Sequence, residues 1–407
     1  MPKAPTILQI IPELGTGGAE RTVIEVAEAI VRAGGTALVA SEGGRLADEL
    51  AQMGGELIPF PAGSKNPLRM AANASRLEAL IRARGIDLVH ARSRAPAWSA
   101  YLAARRTKRP FVTTYHGIYN QKSPLKSWYN SVMARGDVVI ANSHYTARLV
   151  RERHGTPESR LRVIYRGVDL QRFSPSAVSA ARIASLKESW GVPADARVIV
   201  QAARLTRWKG QHVLIGAAGL LQHKPCFRGM VVVIAGDDQG RSAYREELAT
   251  RIHSLGLAGR VVLTGHCADV PAAFAGAWLA VVPSIEPEAF GRASIEAQAM
   301  GCPVIASAIG ALPETLRLDT RDEAKRSGWT VPAGDEAELA RALESALQTP
   351  AQLHSAMAAA ARNNAAAFSK TALQGSTLQV YDDLLGSRMA QTCEPGRNSA
   401  EAAGQNA

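Results

Sequence analysis

The sequence predicts an α/β chain built on open parallel sheet whose faces are covered by helices. Two observations carry that expectation, and a third bears on partners. Short β-branched apolar runs alternate with amphipathic helical stretches through most of the 407 residues, as in strand–helix–strand units of a parallel sheet. The length suits two or three domains. Charge also divides the chain: residues 1–172 hold 25 Lys+Arg and 14 Asp+Glu, and the remainder holds 22 of each, so the whole net charge of +11 falls on the first half.

The first strand is expected at 6–11, a buried β-branched run. Gly15-Thr-Gly-Gly-Ala-Glu20 follows, and then a helix with Val23, Val26, Ala27 and Ile30 on one face, ended by Gly34 and Gly35. Strand, glycine loop and helix form a phosphate cradle, with Gly17 and Gly18 beside the anion. The dinucleotide fingerprint G-x-G-x-x-G does not fit, because Ala19 and Glu20 follow Gly18.

Further strands are expected at 36–40, 56–60, 87–90, 111–115, 138–141 and 162–164. Ligands of such sheets bind at the carboxyl ends of the strands. His90, Arg92 and Arg94 follow one such end, and His116 follows another. An imidazole there can donate or accept a hydrogen bond near neutrality. Arg92 and Arg94 are candidates to grip an anion. A basic run occupies 105–109, and Lys122 and Lys126 sit beside Trp128 and Tyr129. Basic residues interleaved with aromatics suit an amphipathic helix at an anionic membrane surface, and also RNA.

In the second half a linker at 174–193 leads to a strand at 198–202. Arg204 and Lys209 follow, five apart in a loop; two cations after a strand can neutralise a diphosphate. Strands are expected at 231–235 and 260–264, the latter ending in Gly265. The stretch from Val281 to Ala306 reads as strand, loop, helix and strand, with Glu288 in the loop and Glu296 eight residues on, inside the helix. The loop can fold the Glu288 carboxylate back over the helix N-terminus. There the two carboxylates can accept hydrogen bonds from sugar and ribose hydroxyls, and the N–H groups of Phe290 and Gly291 can point at phosphate oxygens. Leu373, Thr377, Val380, Tyr381 and Leu384 share a face of a last helix, and the polar, small residues from Gly386 onward read as a disordered tail.

Several classes are set aside by composition. The chain contains no apolar run of membrane-span length, and the apolar residues 7–11 are only strand length, so no secretory signal is expected. The four cysteines form no C-x-x-C or His/Cys cluster, which offers neither a zinc site nor a disulfide framework. A cytoplasmic protein of bacterial type fits.

Glu288-Ala-Phe-Gly-Arg-Ala-Ser-Ile-Glu296, within P-E-x-F-G and E-A-x-A-x-G-x-P-V surroundings, resembles the E-x7-E motif of the retaining glycosyltransferases of the GT4 family. Arg204 to Gly210 is similar to that family's R-x4-K-G, the Gly17-Gly18 loop to its GG-x-E, and Gly310-Ala-Leu-Pro-Glu314 to its G-G-x-P-E segment. Arg166 stands where the family usually has an Asn before Gly-Val-Asp. The resemblance runs from about residue 6 to 385 and implies the GT-B fold, two Rossmann-like domains facing each other across a cleft. It implies an acceptor-side domain at 1–175, a nucleotide-sugar-binding domain at 176–371, a helix at 372–386 crossing back to the first domain, and a tail at 387–407.

The same resemblance implies transfer of a hexose with retention, with Glu288, His116, Arg204 and Lys209 catalytic. Gly17, Gly18, Gly265, Phe290, Gly291 and Glu296 join Arg204 and Lys209 around the donor. Glu288 would hold sugar hydroxyls, Glu296 the ribose, and the leaving phosphate would take the acceptor proton. No metal and no cofactor would be needed. The donor would be GDP-mannose or a UDP-sugar. The basic first half favours a phosphorylated, lipid-linked or glycan acceptor, as in lipopolysaccharide synthesis at the cytoplasmic face of the inner membrane. The alternatives are a nucleotide-sugar 2-epimerase of the same fold and a non-catalytic nucleic-acid-binding protein; the absence of repeated aromatic–basic platforms argues against the latter.

Overall fold

A computed structural model of the protein describes residues 4–15, 17–64, 66–119, 123–240, 242–318 and 320–393. The chain divides into two compact units. One combines the residues up to Gly167 with the segment from Lys370 onward; the other is Val168–Ser369.

The first unit holds strands β1 (Thr6–Ile10), β2 (Thr36–Ser41), β3 (Glu56–Pro59), β4 (Leu88–Ala91), β5 (Phe111–Tyr115), β6 (Val138–Ala141) and β7 (Leu161–Val163). They form one parallel sheet in the order β3-β2-β1-β4-β5-β6-β7. Side chains of a strand alternate between the two faces of a sheet, and both faces here are covered. Ile7, Val39, Leu88, Val112 and Ile140 pack with Val23, Val26, Ala27 and Ile30 of the helix Gly18–Arg32. Leu8, Leu38, Val89, Phe111 and Val139 pack on the other side with Leu77, Ile81, Ala97 and Ala100. Strands buried on both faces read as continuous apolar runs, which is why they were legible.

The second unit holds β8 (Arg197–Ala202), β9 (Met230–Ala235), β10 (Val261–Gly265), β11 (Ala277–Val282), β12 (Val304–Ser307) and β13 (Gly328–Val331), also parallel, in the order β10-β9-β8-β11-β12-β13. Ile199, Val232, Leu279 and Ile305 pack with Leu214 and Leu343 in its core.

Two boundaries differ from expectation. The division falls at Gly167/Val168 rather than after 175, because Val168 bridges to Ser369 and its N–H donates to the Phe368 carbonyl at 2.8 Å. Residues 387–390, expected to belong to a tail, are tied into a turn. The Asp382 carboxylate accepts hydrogen bonds from the Ser387 hydroxyl and from the N–H groups of Met389 (2.8 Å) and Ala390 (2.7 Å). Met389 is buried in the same core as Tyr381 and Leu378. The rest of the expected tail, 394–407, lies outside the described residues. Asp382→Ala would leave two N–H groups of this turn without their acceptor, at a cost of about 1–3 kcal/mol. Urea unfolding of the full chain should show a lower midpoint at unchanged slope, and an unchanged midpoint would show that the turn does not contribute to stability.

Candidate functional site

The order of the second sheet reverses at β8 and β11, which lie side by side in its middle. Ligands of open parallel sheets bind at such a switch point, beyond the carboxyl ends of the strands. The loop after β8 carries Arg204 and Lys209, and the loop after β11 carries Glu288. The two loops touch. Ile285 N–H donates to the Trp208 carbonyl at 2.9 Å. Gly210 has φ +71°, and a Cβ there would lie 1.8 Å from the Pro283 carbonyl oxygen, so only glycine permits the approach. Buried Gln201, on β8, donates to the Lys209 carbonyl at 2.8 Å, and buried Gln211 donates to the Arg204 carbonyl at 2.9 Å.

Lys209 Nζ lies 2.7 Å from Glu288 Oε1, and the Ser284 hydroxyl donates to the same oxygen. Glu288 is buried and Lys209 nearly so, with 8% and 16% of their side chains exposed. The Glu288 backbone is clamped too. Ala311 N–H donates to its carbonyl at 2.9 Å. A Cβ on Gly310 (φ +64°) would come within 2.5 Å of the Glu288 N and O atoms, which gives the Gly310 position of the motif its physical reason. An ammonium carries three donors, so Lys209 can hold a phosphate oxygen while it remains on Glu288.

The other expected donor residues of this unit are held in different ways. Glu296 lies on the helix Arg292–Ala299 and pairs with Arg292 at 3.2 Å. Gly291 caps that helix, and Phe290 is a buried ring against Phe368, so only its backbone is available to a ligand. Gly265 closes β10, and its carbonyl accepts from Gly236 N–H at 2.7 Å. Arg204 is exposed, with Nη1 3.4 Å from Gln239 Oε1. Sequence reasoning missed Ser284, Gln201 and Arg292, whose roles depend on partners that spacing does not reveal.

In the first unit Gly17 caps the helix that Gly18 begins, against the Glu20 carboxylate. His116 follows β5. Its Nδ1 lies 3.2 Å from an Arg166 guanidinium nitrogen, and its Nε2 is buried with no partner among the described residues. Burial, then Arg166 and Arg92, hold its pKa well below the usual histidine range. Arg166 was noted in the sequence only as a departure from the motif.

Three expectations for this unit are corrected. Arg92 is not a surface grip. It is 2% exposed and donates to Gln9 Oε1 at 2.6 and 2.9 Å, because β4 carries it into the interior beside His90. His90 is equally interior, between Tyr381 OH and Thr114 Oγ1 at 2.7 Å each. Tyr129 does not reach a membrane surface, since its ring packs on the core and its hydroxyl is buried. Lys126 and Trp128 do lie exposed on the helix Pro124–Asn130, with Trp128 stacked on Trp98 at 4.6 Å. Lys122 lies outside the described residues. Among the described residues no cluster of three or more His, Cys, Asp or Glu could hold a metal ion, and no helix is long and apolar enough to cross a membrane.

Comparisons with known proteins agree with this architecture. Residues 16–172 match the model of Glycosyltransferase Family 4, and residues 183–364 match that of Glycosyl transferases group 1. The chain is 31% identical over 366 residues to the D-inositol 3-phosphate glycosyltransferase of Salinispora arenicola, covering 84% of this chain and 77% of the relative. A glycosyltransferase from Rickettsia africae superposes with a TM-score of 0.85 at 33% identity, over 94% of this chain and 99% of the other. Anabaena HepE, solved with UDP and glucose, superposes with a TM-score of 0.78 at 26% identity, over 93% and 100% of the two chains. The 2-epimerase alternative finds no support among these relatives. Two matched halves, a shared sheet architecture and relatives similar over most of their length together show that the chain belongs to the family 4, group 1 glycosyltransferases and has their GT-B fold.

Proposed function

We propose that the protein moves a hexose from a nucleoside-diphosphate sugar, first of all a UDP-sugar, to a phosphorylated acceptor with retention of configuration. The observation that carries this reading is the buried Lys209–Glu288–Ser284 set at the switch point of the second sheet. The bond from the anomeric carbon to the β-phosphate oxygen breaks, and the bond to the acceptor oxygen forms on the same face. The acceptor proton passes to the departing phosphate. Lys209 and Arg204, without a metal ion, hold the charge that develops on the diphosphate. Glu288, held beside Lys209, accepts hydrogen bonds from sugar hydroxyls; Glu296 does so from the ribose. The backbone at Gly265 meets the base, and the N–H groups of Phe290 and Gly291 and the Gly17–Gly18 turn meet the phosphates. UDP is placed ahead of GDP-mannose because HepE was solved with UDP.

The anionic acceptor is supported by the charge of the first unit and by the name of the inositol-phosphate relatives. Between Arg94 and Arg166 the sequence holds 14 Lys+Arg and 3 Asp+Glu. A hollow of about 590 Å³ is lined there by Arg105, Trp128, Arg135, Arg153, His154 and Arg160, with no carboxylate among its lining residues. Leu125 and Trp128 beside it are 74% and 54% exposed. Cations around a hollow with an apolar rim suit a phosphorylated amphiphile at the cytoplasmic face of a membrane, a lipopolysaccharide precursor being one such acceptor.

Two measurements test the reading. UDP should bind and raise the melting temperature by mass action. Lys209→Ala should weaken UDP in calorimetry by about tenfold or more, the worth of a charge-assisted hydrogen bond; unchanged UDP affinity would remove Lys209 from the phosphate site. Separately, the protein should sediment with anionic vesicles at low salt and leave them at high salt. Lys126→Glu with Arg135→Glu should abolish that binding while UDP affinity stays the same. Equal sedimentation with neutral and anionic vesicles, or none with either, would leave a soluble anionic acceptor.

A further inference from the structure

Arg166 and His116 form a contact whose chemistry is determined by its donors. A guanidinium has five N–H donors and no acceptor. With a guanidinium nitrogen 3.2 Å from His116 Nδ1, that ring nitrogen must present a lone pair. A proton on Nδ1 would set donor against donor, and an imidazolium would set two cations together. The ring proton therefore resides on Nε2, the atom that is buried without a partner among the described residues.

We propose that Arg166 is a positioning residue that makes His116 a permanently neutral Nε2–H donor, aimed at an oxygen of the substrate and unable to act as a general base. The inference rests on His116 belonging to the active site as read above. Its surroundings reinforce it from each packed element. Arg92 follows β4, and His90 lies on it. Asn142, after β6, donates to the His116 carbonyl at 3.5 Å, and the Tyr119 hydroxyl bonds to the His116 backbone. No carboxylate appears among the groups that set its protonation: burial, Arg166 and Arg92 all disfavour the imidazolium. A histidine that cannot take a proton leaves the acceptor proton to the departing phosphate, which ties the substitution at 166 to the proton route of the reaction. The long arginine side chain carries that donor to the ring nitrogen from the turn after β7.

The test uses the full chain with ¹⁵N-labelled histidine, the His116 signals being assigned by comparison with His116→Gln. The expected spectrum has an unprotonated, hydrogen-bonded Nδ1 and a protonated Nε2, unchanged between about pH 8 and pH 5.5, a range that spans the ordinary histidine pKa. Arg166→Ala should yield mixed tautomers and an upward shift of the His116 pKa. Release of UDP from UDP-glucose should fall about tenfold above the new His116 pKa, where part of the ring carries its proton on Nδ1, and the loss should shrink below it, where every ring again carries Nε2–H. Arg166→Lys should restore the tautomer and remove most of that pH dependence. A proton on Nδ1 in the unaltered protein, ordinary titration of His116, or an Arg166→Ala protein with the same tautomer and pH profile would overturn the proposal. If no nucleotide sugar turns over, the functional reading fails while the spectrum still decides the tautomer.

Discussion

The ion pair between Lys209 and Glu288 sets the constraint around which the middle of the second sheet is built. It joins the loops that leave β8 and β11, the neighbouring strands at which the second sheet changes direction. Neither charge is well hydrated, and removing one partner of a buried pair leaves the other uncompensated, at about 3–5 kcal/mol. The surrounding sequence is shaped by the need to hold both in place. Gly210 lets its loop close on Pro283, Gly310 lets its backbone close on Glu288, and Ser284 and Gln201 hold the carboxylate and the lysine carbonyl. The pair is thus positioned without a ligand, so the proposed diphosphate would need little reorganisation there.

The first unit shows a comparable use of buried polar groups for a different end. Tyr381, from the helix Lys370–Leu385, bonds to His90, which bonds to Thr114; Arg92 reaches Gln9 beside them. Burial raises the Tyr381 phenol to about 12 and pushes His90 well below the usual histidine range, so both remain neutral beside the charge of Arg92, which buried Glu25 favours. A satisfied network of this kind fixes one arrangement of the helix on the sheet, since any slip would leave several buried groups without partners. The helix is held further by Gln374, which donates to the Glu25 carbonyl at 2.7 Å. Arg92 also adds to the field that keeps His116 neutral, so the core and the candidate site share a cation.

The strands were legible because parallel strands covered on both faces are mostly apolar, and β6 and β9 are written that way throughout. Glu288, Lys209 and their glycines were legible because a motif records them, and the geometry then supplied the reason for Gly210 and Gly310. What stayed hidden depended on partners distant in sequence. Arg92 looked like a surface cation because nothing nearby in sequence reveals Gln9, 83 positions away. Arg166 looked like a lapse in a motif because His116 lies 50 positions earlier. The polar residues after Gly386 read as a tail because their acceptor, Asp382, lies in the preceding helix and carries no capping signature. Tyr129 and Trp128 are adjacent and equally aromatic, yet one faces the core and the other solvent; only the packing of the helix Pro124–Asn130 separates them.

We propose that Lys209 and Glu288 act as one unit on the donor. A double-mutant cycle tests it most directly, with release of UDP from UDP-glucose measured for Lys209→Ala, Glu288→Gln and the double variant. Groups that act as a unit are strongly non-additive. The prediction is that each single change lowers kcat by about a hundredfold, close to 2.7 kcal/mol in the barrier, and that the double variant is no worse than the poorer single one. Losses that multiply in the double variant, or full turnover in Glu288→Gln, would contradict the claim.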